Sequence, residues 1–104
     1  MLIWSENMYI GKQLSEKGEK IKKKLNRKLF LPEVFLITRP TNEDNLFDIF
    51  QSKELLFPYH KRREIIVCGL AKDKEEALTL VTTMLEDMYR ETGGLCSKEY
   101  FLKQ

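Results

Sequence analysis

Two short loops carry the polar residues best placed to do chemistry. TRPTNEDN, residues 38–45, follows the apolar run VFLIT, and GLAKDKEE, residues 69–76, closes the run EIIVCGLA. In parallel βα units, the loops at the carboxyl ends of the strands face one crevice. If the two runs are adjacent parallel strands, Arg39, Asn42 and Asn45 face Lys72 across such a crevice. An anionic ligand would suit it, because two helix N-termini with unpaired N–H groups point there. Glu43, Asp44, Asp73, Glu75 and Glu76 oppose this, since they already place negative charge in both first turns. Neither loop has the glycine spacing of a dinucleotide fingerprint or a P-loop. Ordinary helix capping is the plainer account of both loops.

Catalytic candidates are few. His60, in FPYHKRRE, is the one histidine. A general base needs a partner and a pocket, and Tyr59 with three basic neighbours does not make a triad. Cys68 and Cys96 lie 28 residues apart, which is no metal or redox spacing. Cys68 sits in an apolar run and reads as a small buried hydrophobe. These residues predict no catalytic set, no metal site and no cofactor.

The basic runs are denser. EKGEKIKKKLNRK, residues 16–28, holds seven Lys or Arg against two Glu. Lys61, Arg62 and Arg63 form a second cluster beside Tyr59, an aromatic that could stack on a base. Together with Lys20, Lys23, Lys24 and Arg27 they outline a nucleic-acid surface. With no Asn or aromatic interleaved on the helix face, and only Gln13 near it, such binding would be weak and sequence-blind. A solvated helix face explains the same lysines without a ligand.

The elements that must position these residues follow from periodicity. At 100° per residue, Ile10, Leu14, Ile21, Leu25 and Leu29 share one side of a helix, and Lys12, Lys20, Lys23, Lys24 and Arg27 the other. This predicts an amphipathic helix over residues 8–28, with Gly18 on the buried stripe where another element could approach closely. VFLIT, 34–38, reads as a strand buried on both faces and ended by Arg39-Pro40. Thr41 or Asn42 caps a short second helix with Leu46, Phe47, Ile49 and Phe50 on its apolar side. LLFPY, residues 55–59, is a packed connection. EIIVCGLA, 64–71, is a second strand. Asp73-x-x-Glu76 resembles a capping box, and Ala77, Leu78, Val81, Met84, Leu85 and Met88 share a broad face of a helix that Gly93-Gly94 ends.

The expected class is α/β, or α+β, in the order α-β-α-β-α, with a βαβ core of two parallel strands flanked by amphipathic helices. Two strands make a very small sheet, so a terminal segment, LLFPY or a second subunit is expected to complete it. A homodimer is expected for that reason.

At 104 residues, 42% hydrophobic and 33% charged, the chain fits one domain, 1–104, with residues 1–7 a loose extension. Net charge is +2 but unevenly placed: nine Lys/Arg and four Asp/Glu in residues 1–40, nine and twelve in residues 41–104. No secretory signal and no apolar run long enough to span a bilayer is present. Few cysteines and no signal predict a cytoplasmic protein.

VFLITRPTNEDNLFDIFQSKELLFPY (34–59), REIIVCGLAKDKEEALTLV (63–81) and the Tyr-x-x-Thr-Gly-Gly end at Tyr89–Gly94 together resemble a family of short uncharacterised proteins of Firmicutes-type bacteria. The likeness covers residues 33–94. It implies a bacterial, intracellular protein, and its motifs are core and cap residues that carry no catalytic role. Two functions are therefore expected from the sequence. One is a non-enzymatic binding or regulatory module acting as a homo-oligomer. The alternative is a nucleic-acid-binding accessory protein using the first helix and the Lys61–Arg63 cluster.

Overall fold

A computed structural model describes residues 2–27, 34–40, 45–56 and 63–94. Among these residues the elements are strand β1 (Leu2–Ile10), helix α1 (Gly18–Asn26), strands β2 (Phe35–Thr38), β3 (Asp48–Gln51) and β4 (Ile65–Ala71), and helix α2 (Lys74–Thr92). Short 3-10 turns occupy Lys12–Leu14 and Ser52–Leu56. The class is mixed α/β: one four-stranded sheet, ordered β1-β4-β2-β3, with two helices. Among the described residues the order is β-α-β-β-β-α, which differs from the expected α-β-α-β-α.

Pairing differs from expectation at one decisive place. β2 and β4 are adjacent but antiparallel, with Phe35 opposite Ala71 and Leu36 opposite Leu70. Among the described residues, no helix forms over 45–51, where the crossover helix is expected. Its residues instead supply β3, which pairs antiparallel with β2. LFDIF satisfies a period of two: Phe47 and Ile49 pack on one face of the sheet and Phe50 on the other. Three β-branched or aromatic residues in five, Phe47, Ile49 and Phe50, suit this pleated solution. The parallel partner of β4 is β1. Residues 2–7, expected as a loose end, are thus part of a strand, and the N-terminal segment completes the sheet.

The two faces of the sheet are buried separately. Leu14, Ile21 and Leu25, from the 3-10 turn and α1, pack with Leu36, Phe50, Ile65, Val67 and Leu70. Ala77 and Met84 of α2 pack with Ile37, Cys68 and Ala71. Of the apolar stripe expected of a long first helix, Leu14, Ile21 and Leu25 are buried, Ile10 is partly buried and joins from β1, Leu14 joins from the turn, and Leu29 lies outside the described residues. The helix itself begins only at Gly18. An added Cβ at Gly18 would lie 2.6 Å from Ile10 Cδ1, so the glycine does allow a strand to approach the helix start.

β4 carries a bulge. Ile37 faces Gly69 and Thr38 faces Val67, so one residue of β4 is extra. Cβ space at Gly69 is closed by the Tyr9 carbonyl at 3.0 Å and Ile37 Cδ1 at 3.2 Å. β1 is irregular beside it: Trp4 pairs with Val67 and Tyr9 with Gly69. The intervening residues make a tight excursion in which Ser5 Oγ accepts from the Asn7 N–H at 3.1 Å. α2 follows the expected pattern closely. Asp73 caps it by accepting from the Glu76 N–H at 2.7 Å, and Gly93, at φ 75°, ends it in the left-handed conformation.

Candidate functional site

The strand-end crevice does not form. Because β2 and β4 run antiparallel, their carboxyl ends lie at opposite ends of the sheet. The Arg39 N–H donates to the Ile66 carbonyl at 3.0 Å, beside the start of β4, whereas Lys72 follows Ala71 beside the start of β2. Arg39 and Lys72 are therefore kept apart by the length of the shared strands. Asn45 is exposed just before β3. Asn42, and with it His60, Lys61, Arg62 and Cys96, lies outside the described residues.

The polar groups around α2 hold the fold together. Glu76 Oε1 accepts from the Lys72 N–H at 2.7 Å, and Glu76 Oε2 lies 3.5 Å from the Gln13 N–H. One carboxylate thereby ties the turn before α2 to the turn after β1. Gly11 leaves room for it, since a Cβ there would overlap the Glu76 carboxylate. Tyr9 Oη donates to Asp87 Oδ2 at 2.8 Å, and Arg90 pairs with the same aspartate. Asp73, Glu76 and Asp87 are thus engaged as caps and cross-links. Cys68 is buried, and desolvation pushes its thiol up to about 12, with Arg39 pulling weakly the other way. Such a thiol is no nucleophile at neutral pH. Among the described residues, no group of three or more His, Cys, Asp or Glu is placed to hold a metal ion.

Two helix faces point outward instead. On α1, Lys20, Lys23, Lys24 and Arg27 are exposed at i, i+3, i+4 and i+7, opposite buried Gly18, Ile21 and Leu25. None of the four has an ion-pair partner among the described residues; Glu19 pairs with Lys22 at 3.5 Å. Lys22 also lies over the Trp4 ring, 5.8 Å from its centroid, and Trp4 Nε1 donates to Asn26 Oδ1 at 3.1 Å. Arg63, of the second basic cluster, is half-buried at the entry to β4.

On α2 the outer face carries two exposed large apolar side chains among polar ones. Leu78 is 51% exposed and Tyr89 62% exposed. At 100° per residue, Leu85 and Tyr89 both fall within about 20° of Leu78, and Thr82 about 40° away. Threonines flank this line with their hydroxyls tied inward: Thr79 Oγ1 donates to the Glu75 carbonyl and Thr82 Oγ1 to the Leu78 carbonyl, each at 3.1 Å.

The sequence places Leu78 on the broad apolar face of the helix with Ala77 and Met84, which are buried, whereas Leu78 itself is exposed. The available signal was the width of the apolar arc, which exceeds what one sheet face covers. Glu76 was legible as a cap but not as a clamp on β1, because the clamp joins positions 63 residues apart. No helix among the described residues is long and apolar enough to cross a membrane. Compared with family models, with curated proteins and with solved structures, the chain matches none of them.

Proposed function

We propose that this protein is a non-enzymatic binding or regulatory module that acts as a homo-oligomer. The observation that carries the proposal is the outer face of α2, where Leu78 and Tyr89 stand exposed on one line. Exposed apolar residues aligned on a regular element mark an association surface more often than scattered ones do. The incomplete-sheet argument for self-association no longer applies, because the sheet has four strands; the α2 face takes its place. The engagement of Asp73, Glu76 and Asp87 in structural bonds supports a binding role over catalysis. A bacterial cytoplasmic setting belongs to the same proposal, on the family resemblance and the low cysteine count. Light scattering at tens of micromolar tests it: the expected mass is twice the 12.4 kDa of one chain. A mass of one chain would refute homo-oligomerisation.

A second reading rests on α1. Its four exposed cations, which have no ion-pair partner among the described residues, suit a polyanion such as the phosphate backbone of nucleic acid. The expected binding is weak and blind to sequence, with a log–log salt slope of roughly −3 to −4 for about four phosphate contacts on duplex DNA. Fluorescence polarisation with a labelled duplex tests it. The lysine-to-glutamine variants at 20, 23 and 24 together with Arg27→Gln should abolish the salt-dependent signal; equal binding without these charges would remove the reading.

A further inference from the structure

We infer that α1 and Trp4 together form a site for single-stranded nucleic acid, with bases stacked on the Trp4 ring and phosphates on Lys20, Lys23, Lys24 and Arg27. The inference rests on the polyanion reading of α1 above and names the form of its ligand.

β1 brings to the basic helix the aromatic that the helix's own sequence lacks. Trp4 is partly exposed and lies along one flank of α1, where it meets Lys22 and Asn26. The bond from Trp4 Nε1 to Asn26 Oδ1 is 3.1 Å long and exposed. It holds the N–H edge of the indole at the surface and satisfies its one donor. What the indole still offers is a ring face, and Lys22 Nζ stands 5.8 Å over the centroid of that face. An ammonium keeps its head in water, so a ring beneath one lies near solvent. At 100° per residue, Lys23 is about 60° from Asn26 around the helix and Arg27 about 100°. Trp4 therefore borders the row of exposed cations on its Lys23 side.

The form of the ligand follows from what each nucleic acid presents. A duplex stacks its bases on one another and shows the protein phosphates and base edges, so it can use the four cations but not the ring. A single strand exposes the face of its bases, and every base has one. An aromatic beside a row of cations therefore holds a single strand without reading its sequence. In the free protein Lys22 covers the ring and must move aside. A surface cation–π contact is weaker than base stacking, and the released ammonium is free to meet a phosphate, so the exchange favours the base. Two carboxylates are close by: Glu19 pairs with Lys22 at 3.5 Å, and Glu6 is exposed two residues beyond Trp4. Residues 19–27 together with Glu6 hold five Lys/Arg against two Glu, so a chain of phosphates is still attracted.

Trp4 is the one tryptophan of the chain, so its fluorescence reports this ring alone. The full chain is titrated at about 50 mM salt with three probes: an oligothymidylate of about ten nucleotides, an abasic oligomer of the same length, and a duplex with the same number of phosphates. Oligothymidylate should quench Trp4 and bind about tenfold tighter than the abasic oligomer, which should leave the emission nearly unchanged. Polarisation of labelled probes then follows the variants, with circular dichroism to confirm folding. Trp4→Leu should lose the tenfold advantage and keep the abasic affinity, whereas Trp4→Phe should retain most of the advantage. No binding of any probe overturns the polyanion reading and this inference with it. Equal binding of all three without quenching leaves the polyanion reading and overturns the single-strand inference. An advantage of oligothymidylate that survives Trp4→Leu overturns the role given to Trp4. Should Trp4→Leu not fold, the wild-type contrast between oligothymidylate and abasic oligomer, in affinity and in quenching, decides by itself.

Discussion

Gly11 and Glu76 make a pair whose behaviour can be worked out in advance. Gly11 has φ −58° and ψ 149°, a conformation open to alanine. Alone, such a Gly→Ala change should stabilise by about 0.4–1 kcal/mol, through the lost freedom of the unfolded chain. Here the new Cβ overlaps the Glu76 carboxylate and also lies 2.9 Å from its Cγ. The side chain must swing out, and the Lys72 N–H at 2.7 Å and the Gln13 N–H at 3.5 Å lose their acceptor. Both bonds are at the surface, so their combined loss is put at about 1–2 kcal/mol, in the range of a lost cap. Gly11→Ala should therefore destabilise the wild type by roughly 0.5–1 kcal/mol net, while Glu76→Ala costs about 1–2 kcal/mol. In the Glu76→Ala background the clash is gone, and Gly11→Ala should change sign and stabilise by about 0.5 kcal/mol. Urea unfolding of the four proteins gives the cycle, and a coupling energy near 1–2 kcal/mol is expected. Each kilocalorie should also move Tm by about 4 °C in a chain of this size. If Gly11→Ala costs the same with and without Glu76, the carboxylate is not what fills the space above Gly11, and the clamp between β1 and α2 is wrong.

Met84 is fully buried against Ile37 and Cys68; Met84→Ala should cost about 2–5 kcal/mol in urea unfolding, and a loss below 1 kcal/mol would deny that α2 packs there. Thr38 is fully buried, and its Oγ1 has no hydrogen-bond partner among the described residues. Thr38→Val should therefore be neutral or stabilise by up to about 1 kcal/mol, and a clear destabilisation would reveal a partner for the hydroxyl. Burial that lifts Cys68 from 9.0 to about 12 keeps the thiol neutral in the folded state. The unfolded thiol ionises first, so this contribution is fully present below pH 9 and declines as pH rises toward 12. In a Cys96→Ser background, Cys68 should resist iodoacetamide at pH 8 until denaturant is added; rapid labelling of native protein would contradict its burial.

The sequence made α2 legible almost to the residue, because its signals are local. An Asp N-cap, a Glu three positions on, a 3.6-residue apolar period and a glycine stop all lie within one segment and agree. The two continuous runs were legible as strands for the same reason. Their relative direction was not, since direction depends on what the connection does, and LFDIF fits one turn of helix as well as a four-residue strand. β1 was hidden by competition. Ile10 and Leu14 lie on the same helical stripe as Ile21 and Leu25, and Ile10 packs against the core that the other three join, so a shared stripe supported an incorrect element. The crevice failed with the strand direction. Arg39 and Lys72 were sound readings of strand ends, placed at one end of the sheet only by an assumed parallel pairing. Exposure of Leu78 and Tyr89 depends on how much of a helix one sheet face can cover, which spacing alone does not report.

The two outward faces lie on opposite sides of the sheet, and they differ in sign. Residues 12–27 carry seven Lys/Arg and two Asp/Glu, whereas residues 72–91 carry three and six. That separation gives the two proposed surfaces opposite responses to salt. Contact of α1 with a polyanion releases counterions and must weaken steeply as salt rises. Contact of α2 with α2 brings together two segments, each with a net charge of −3 over residues 72–91, so screening should help it, while apolar contact through Leu78 and Tyr89 is little affected. Between 50 and 500 mM sodium chloride, the dimer should hold or tighten modestly while any binding to duplex DNA disappears. Dissociation of the dimer over that range would mean that charge attraction, and not the apolar stripe, holds the copies together. A head-to-tail arrangement of the basic face on the acidic one would then be the better description.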